Sequence, residues 1–385
     1  MVQRAKDQLV TSERLRVLFK SSAADFVVNE LPAYPASGAG DHVFVRFTKE
    51  NLTTDEAVRA ICRALRVNPR DAGVAGVKDR VAVSSQTASF LMPKGDPEAL
   101  LSGLAQPGLT IDSVTRHGHK LKAGHLAGNR FAVCLRPHPA GGGAALEAAL
   151  SPGLSAAARH GVPNAFGAQR FGRAGDNAAF AARFVQGEVA PPRDKKRARF
   201  MFSALQSELF NQLLELRREN GTWGKVLPGD VAKKEENGAL FDVPLEGPEL
   251  ADAVARAEDL RIAATGPMFG ASMRKPQGEP AEWEAAILAK SGIEEAAWSH
   301  HRHLGEGTRR SLRLLVEELT WRAEGENLVV EFVLGKGSYA TTFLDSLCEL
   351  VEPPRATAPQ GTAESPDSGG PGPDEAGAEQ DESGS

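Results

Sequence analysis

Apolar and polar positions alternate with a period of two in Asp25-Phe26-Val27-Val28-Asn29-Glu30 and again in His42-Val43-Phe44-Val45-Arg46-Phe47. Both runs predict strands, and the Pro- and Gly-bearing stretch 32–40 between them predicts a turn. At Thr53 the period lengthens. Ala57, Ile61, Ala64 and Leu65 share one helical face, and Glu56, three residues after Thr53, completes a capping box. Strands are expected again over 81–90 and 130–136. The Gly141-Gly142-Gly143 run then opens an Ala-rich helix ending near His160-Gly161.

The middle of the chain changes character. Ser203 with Gln206 is expected to cap a helix whose Leu205, Leu209, Leu213 and Leu216 form one stripe, closed by Asn220-Gly221. Amphipathic helices follow over 249–261 and 282–291. The pattern returns to strand over 328–334, with a Gly335-Lys336-Gly337-Ser338 turn and a helix over 341–350. No period of 20–50 residues repeats, which excludes solenoids and propellers. The order mixed, helical, mixed fits a domain inserted into another, and 385 residues predict two or three domains.

Composition narrows the setting. Cys62, Cys134 and Cys348 lie far apart with no C-x-x-C pair, which excludes a disulfide framework and a cysteine zinc site and suits a reducing cytosol. No run approaches the apolar length of a membrane span, and the N-terminal residues show no signal-peptide core. The net charge of −5 argues against a nucleic-acid partner only until it is divided. Residues 353–385 hold Arg355 against seven acids, a net −6, which leaves +1 for residues 1–352. This tail has no Ile, Leu, Val or aromatic residue, so it is expected to be disordered.

Several segments carry candidate chemistry. In Ala75-Gly76-Val77-Lys78-Asp79-Arg80 a small-residue turn presents an acid between two bases, just before a strand. Flanking cations favour the ionised carboxylate that a nucleophile or base requires; taken in isolation, the triplet reads as a solvated charged turn. Gly128-Asn129-Arg130-Phe131 enters a strand after a basic loop containing Arg116, Lys120 and Lys122, a pattern suited to a stacked base and its phosphates or to a surface hairpin. Val162-Pro163-Asn164-Ala165-Phe166-Gly167-Ala168-Gln169-Arg170-Phe171-Gly172 spaces donors through aromatics and glycines. The densest basic run is Arg193-Asp194-Lys195-Lys196-Arg197-Ala198-Arg199. Neither His117-x-His119 nor His300-His301-x-His303 has further ligands at metal spacing, so no metal is expected. Gly335–342 lacks the full phosphate-loop spacing, so no nucleotide site is expected.

Together these segments resemble the TruD family of tRNA pseudouridine synthases. The matching blocks are collinear: Lys20 with Asp25-Phe26-Val27-Val28 and Glu30; Gly38-x-Gly40-x-His42; Ala75-Gly76-x-Lys78-Asp79; Gly128-Asn129-x-Phe131; and 162–172. They continue with Ser203-Ala204, Ser207-x-x-Phe210-Asn211, Gly266-Pro267-Met268-Phe269-Gly270, Gly305-x-x-Thr308-Arg309-Arg310 and Gly337-Ser338-Tyr339-Ala340-Thr341. The resemblance covers roughly residues 18–350. In the block commonly read N-Y-F-G-x-Q-R-F-G, this chain has Ala165 where the Tyr stands.

The resemblance implies an α+β fold: a pseudouridine-synthase catalytic domain, with a mixed, mainly antiparallel sheet flanked by helices, and an inserted α/β TRUD domain. It places the catalytic domain at 1–158 plus 306–352, the insertion at 159–305 and the acidic tail at 353–385. It implies cofactor-free isomerisation of uridine to pseudouridine in tRNA, at position 13, by a cytoplasmic monomer with no obligate protein partner. The family's catalytic aspartate corresponds to Asp79, its basic active-site residue to Lys20 and its active-site aromatic to Phe131, with Asn129 in the same motif. Lys20 would pair with Asp79, and Phe131 would stack on the extracted uracil. The carboxylate would either attack the ribose carbon or remove a ribose proton. Lys78, Arg80, Phe166, Gln169, Arg170, Lys195, Lys196, Arg197, Arg309 and Arg310 are the expected RNA contacts. The alternatives are a catalytically silent RNA-binding or chaperone protein of the same fold and an aspartate-dependent glycosidase that releases uracil.

Overall fold

The computed structural model describes residues 14–139, 145–172 and 174–354. The 141–143 glycine run and the acidic tail from residue 355 lie outside the described residues. The chain divides into two compact units. The first holds the described residues up to Ser155, then Val316–Ala340 and those from Leu347 onward; the second holds Ala156–Leu315 and Thr341–Ser346. Residues 306–315, which the sequence assigned to the catalytic domain, fall in the second unit because Thr308–Ser311 pairs there as a strand.

In chain order the first unit contains β1 (Arg16–Leu18), β2 (Phe26–Pro32), β3 (His42–Glu50), α1 (Thr54–Leu65), β4 (Gly73–Val74), β5 (Val83–Leu91), α2 (Pro97–Leu101), β6 (Leu109–His117) and β7 (Leu126–Pro137). The division falls within α3 (Leu146–His160). The second unit follows with β8 (Val162–Pro163), α4 (Asn177–Val185), α5 (Lys195–Glu219), β9 (Val231–Lys234), β10 (Leu240–Asp242) and α6 (Pro248–Glu258). It continues with β11 (Ile262–Met268), α7 (Gly278–Ser291), α8 (Glu295–His300), β12 (Thr308–Ser311) and β13 (Arg313–Leu314). Last come β14 (Glu317–Glu324), β15 (Asn327–Gly335), α9 (Ala340–Asp345) and β16 (Glu349–Val351).

The first unit is built on a ten-stranded sheet in the order β14-β15-β7-β2-β5-β3-β6, with β1, β4 and β16 attached. β2 runs parallel to β5 and β1 to β16, while the remaining pairs are antiparallel. The sheet is therefore mixed and mainly antiparallel, as expected. Alternation sends Val43, Val45 and Phe47 of β3 and Ala88 and Phe90 of β5 to one face, where Ala57, Ile61 and Leu65 of α1 cover them. Each fully buried Val, Ile or Phe contributes about 1.5–3 kcal/mol there. The start of α1 has the reciprocal bonds of a capping box: the Thr53 hydroxyl accepts from Glu56 N–H and the Glu56 carboxylate accepts from Thr53 N–H. β3 runs three residues past the expected strand, and Lys49 continues the inward face of Phe47.

In the second unit, α5 begins at Lys195 with Asp194 as its cap, eight residues before the expected Ser203 start. Ser203 lies inside the helix and donates back to the Phe200 carbonyl. The cap is the Asp194 carboxylate accepting from Lys196 N–H, so the basic run occupies the first turn rather than a loop. Phe202, Leu205, Leu209, Phe210 and Leu213 on α5 share a core with Ile262, Ala264 and Met268 of β11. β11 is one of the two inner strands of an antiparallel sheet ordered β10-β9-β11-β12. Its seven residues are all buried, so it shows no alternation for a sequence reading to find. Gly266 is where helix meets sheet: a Cβ there would stand 2.9 Å from the Phe210 ring. Helix 341–350 is also shorter than expected, because α9 ends at Asp345 and Glu349–Val351 instead pairs with β1.

Candidate active site

Residues 75–82 form an irregular loop leading into β5, and Asp79 stands out from it with its side chain 57% exposed. Lys20 Nζ lies 2.5 Å from Asp79 Oδ2. Lys20 follows β1 and adopts a left-handed backbone, φ +54°, which is uncommon for a residue with a Cβ and recurs where a side chain must be aimed at a site. Its aliphatic stem is buried, and its ammonium sits 4.3 Å from the centre of the Phe26 ring and 5.0 Å from that of Phe19. The apolar stem and aromatic faces restrict the ammonium to the direction of the carboxylate.

Phe26 leads to the aromatic expected from the sequence. Its ring is 5.9 Å from Phe131, which in turn stacks on Phe332 at 5.1 Å. Antiparallel registry sets this row, Phe131 facing Val28 of β2 on one side and Phe332 of β15 on the other. Phe131 is 6% exposed, so it forms part of an apolar wall rather than an open stacking platform. Asn129, two residues earlier on β7, pairs with Glu30 and Leu334. Its side-chain oxygen is buried with no hydrogen-bond partner among the described residues, a costly position for an acceptor.

Beneath the loop lies a polar layer. Lys78, expected to reach RNA, is buried instead and forms an ion pair with Glu30 at 2.9 Å. Glu30 also accepts from Thr87 N–H at 3.1 Å, and Lys78 N–H donates to Thr54 Oγ1 at 3.0 Å. Lys78 is thus an anchor of the loop, not a phosphate contact. Lys49 is completely buried, and its ammonium donates to the Asp79 backbone carbonyl at 2.6 Å. Burial lowers the Lys49 ammonium from an ordinary 10.5 to about 8, with Asp79 and Glu56 opposing that shift and Lys78 adding to it. The sequence reading missed Lys49. The parity of Val43, Val45, Phe47 and Lys49 along β3 was the available signal, since a strand that continues past Phe47 must turn Lys49 inward. Arg80 is exposed and faces Glu56 at 3.5 Å.

The expected contacts of the second unit divide in the same way. Arg309 is buried against Glu284 at 2.8 Å and donates to the Thr265 carbonyl. Arg310 is buried, donates to Asn164 Oδ1 at 2.6 Å and lies 4.1 Å from the centre of the Phe166 ring. Both are internal pegs, and the expectation that they meet phosphate is corrected by their burial. Phe166 is itself half-buried, its backbone held by two reciprocal bonds with the Asn211 side chain. Gln169 is exposed, while Arg170 is half-buried and donates to Ser207 Oγ at 3.2 Å. Lys195, Lys196 and Arg197 are exposed, with no ion pair among the described residues. A cleft lies beside them, lined by Pro191, Pro192, Ala198 and Leu304 together with Lys195, Arg199 and His303.

His117 and His119 are joined at 3.0 Å through their Nε2 atoms, and Ser37 N–H donates to His117 Nδ1. That bond puts the His117 proton on Nε2, aimed at His119, which leaves this pair no shared lone pair for a metal. Among the described residues no group of three or more His, Cys, Asp or Glu side chains is arranged to hold a metal ion.

The sequence model of the family described as tRNA pseudouridine synthase D (TruD) matches residues 8–190 and 194–347. The chain belongs to the TruD family. It is 40% identical over 331 residues to a tRNA pseudouridine synthase D of Anaeromyxobacter dehalogenans, covering 84% of this chain and 90% of that one. A tRNA pseudouridine synthase D of Thermus thermophilus is 38% identical over 328 residues, covering 85% and 87%. A crystal structure from Methanosarcina mazei bearing the TruD name superposes with a TM-score of 0.73 at 21% identity, covering 87% of this chain and 94% of that one. The TruD fold therefore holds for nearly the whole described chain.

Proposed function

We propose that the chain converts uridine to pseudouridine in tRNA, at position 13, with Asp79 as the reacting carboxylate. The observation that carries this reading is the Lys20 ammonium held 2.5 Å from an exposed Asp79 carboxylate in a chain of the TruD family. The reaction breaks the bond between N1 of uracil and C1′ of ribose and joins C5 to C1′. C5 releases a proton and N1 takes one up, so the atoms balance with no oxidant, reductant or cofactor. The carboxylate either attacks C1′ or removes the C2′ proton to give a glycal, and deuterium at C2′ slows only the second route. Lys20 aims the carboxylate and balances its charge. The uracil must leave its helical stack to reach this loop, where Phe131, backed by the buried Phe26 and Phe332 rings, gives the site floor its apolar character.

Phosphate contacts in this reading come from Arg80, Gln169, Arg170 and the Lys195-Lys196-Arg197 turn. The enzyme acts in the cytoplasm as a monomer; no helix among the described residues is long and apolar enough to cross a membrane. Carbodiimide mapping of tRNA incubated with the wild-type chain is expected to reveal pseudouridine at position 13. Asp79→Asn is expected to abolish it while tRNA binding stays within about threefold. Near-normal turnover by Asp79→Asn would remove Asp79 from the chemistry.

A further inference from the structure

We infer that Lys49 is a positioning residue, a buried ammonium that pins the loop carrying Asp79 by holding the Asp79 carbonyl. The inference rests on the assignment of Asp79 made above. Lys49 is 0% exposed, at the end of an inward row that otherwise reads Val43, Val45, Phe47. Burying an ammonium is unfavourable unless it is paired. Yet Lys49 has no ion pair among the described residues, and its hydrogen bond goes to one backbone oxygen, that of Asp79, at 2.6 Å. A methionine would fill the same volume without desolvating a charge. Packing alone therefore does not account for the lysine, whereas a fixed carbonyl at Asp79 does.

The neighbouring bonds show what is being fixed. Lys78, one residue before Asp79, is tied by its N–H to Thr54 and by its ammonium to Glu30. Lys20 holds the Asp79 carboxylate itself. The loop is thus fastened at residue 78, at the carbonyl of residue 79 and at the side chain of residue 79 by three different lysines. Ala75 and Ala82 bury the two ends of the loop, but Val77 is 72% exposed, so the stretch that carries Asp79 has no apolar anchor of its own and depends on these polar ties. Releasing the Asp79 carbonyl frees the backbone rotation that aims the carboxylate, and misplacement of a reacting group by about 1 Å costs on the order of 100-fold in rate.

The test is Lys49→Met in the full chain, read by amide hydrogen exchange, thermal unfolding, tRNA affinity and single-turnover pseudouridine formation. Exchange is expected to quicken about tenfold or more within residues 75–82 and nowhere else, with the unfolding midpoint at or above that of the wild type. The rate constant is expected to fall roughly 30- to 100-fold at saturating tRNA, with tRNA affinity within about threefold. Lys49→Gln, which keeps a donor without the charge, is expected to recover part of the rate. Loop exchange within twofold of wild type overturns the inference, and so does global unfolding of both variants, the mark of a purely structural lysine. If the wild type forms no pseudouridine in tRNA, the synthase reading fails separately, and the exchange measurement still decides whether Lys49 pins the loop.

Discussion

Lys49 and Asp79 differ in how they enter the sequence, and that difference explains which site residues were legible. Asp79 and Lys20 lie in short blocks whose small and charged residues stand out, and the structure brings those two together across 59 positions of sequence. Lys49 sits in an ordinary strand, and only its parity with Phe47 betrays it. Lys78, Arg309 and Arg310 failed in the opposite direction: an arginine or lysine in a block of family resemblance reads as a phosphate contact until its burial is known. Lys49 leaves a thermodynamic trace that can be measured. Its folded pKa of about 8 lies below the ordinary 10.5, so between those values the unfolded chain binds more protons and stability rises with pH. Below about pH 8 the full cost of the buried charge is present, on the order of 3 kcal/mol. The wild type should therefore gain up to about that much relative to Lys49→Met between pH 7.5 and 10. Denaturant titrations of both proteins at the two pH values check this; a constant difference would mean that the ammonium is solvated.

Among the elements, helices were easier to read than the strands of the second unit. α5 carried a long leucine stripe, whereas β9 and β10 are short and β11 is buried on both faces, without period. The start of α5 was misplaced because Ser203 and Gln206 imitate a capping box nine residues beyond the real cap at Asp194. The true start makes a physical prediction. Lys195, Lys196 and Arg197 crowd the first turn, where the helix dipole favours anions and each exposed cation costs about 0.3–1 kcal/mol at low ionic strength. A phosphate backbone at that end would reverse the sign. Replacing all three by glutamine is expected to leave the unfolding midpoint unchanged or raised, while lowering the log–log salt slope of tRNA binding by about 2–3. Asp194→Ala makes the opposite variant, losing about 1 kcal/mol of stability through the lost cap and leaving the salt slope alone. Fluorescence anisotropy across a salt series, beside thermal melts, separates the two effects. A triple variant that melts earlier and keeps its slope would mean that the run is an ordinary solvated helix end.

For the whole molecule, net charge misleads because it averages unlike parts. The chain sums to −5, yet one arginine and seven acids beyond residue 352 account for −6 of it, leaving the rest at +1. Even +1 hides structure, since Arg217 and Arg309 are paired inside with Asp230 and Glu284, and Arg310 and Arg313 are buried on Asn164 and the Ala257 carbonyl, so none of the four presents its guanidinium to a tRNA phosphate. The exposed cations that remain, Lys195, Lys196 and Arg197 among them, are open to any polyanion, whether a tRNA or the chain's own acidic segment. An acidic segment tethered to the same chain would compete at a high effective concentration and weaken tRNA binding without touching a site residue. Removing residues 355–385 is therefore expected to tighten tRNA binding about two- to fivefold at 20–50 mM salt. The gain should vanish near 300 mM, where screening shortens the reach of both partners. Binding isotherms of the full and shortened chains at the two salt concentrations test it. Equal affinities at low salt would show that the acidic segment leaves the cations alone, and the weak net charge of residues 1–352 would then be the whole of the electrostatic account.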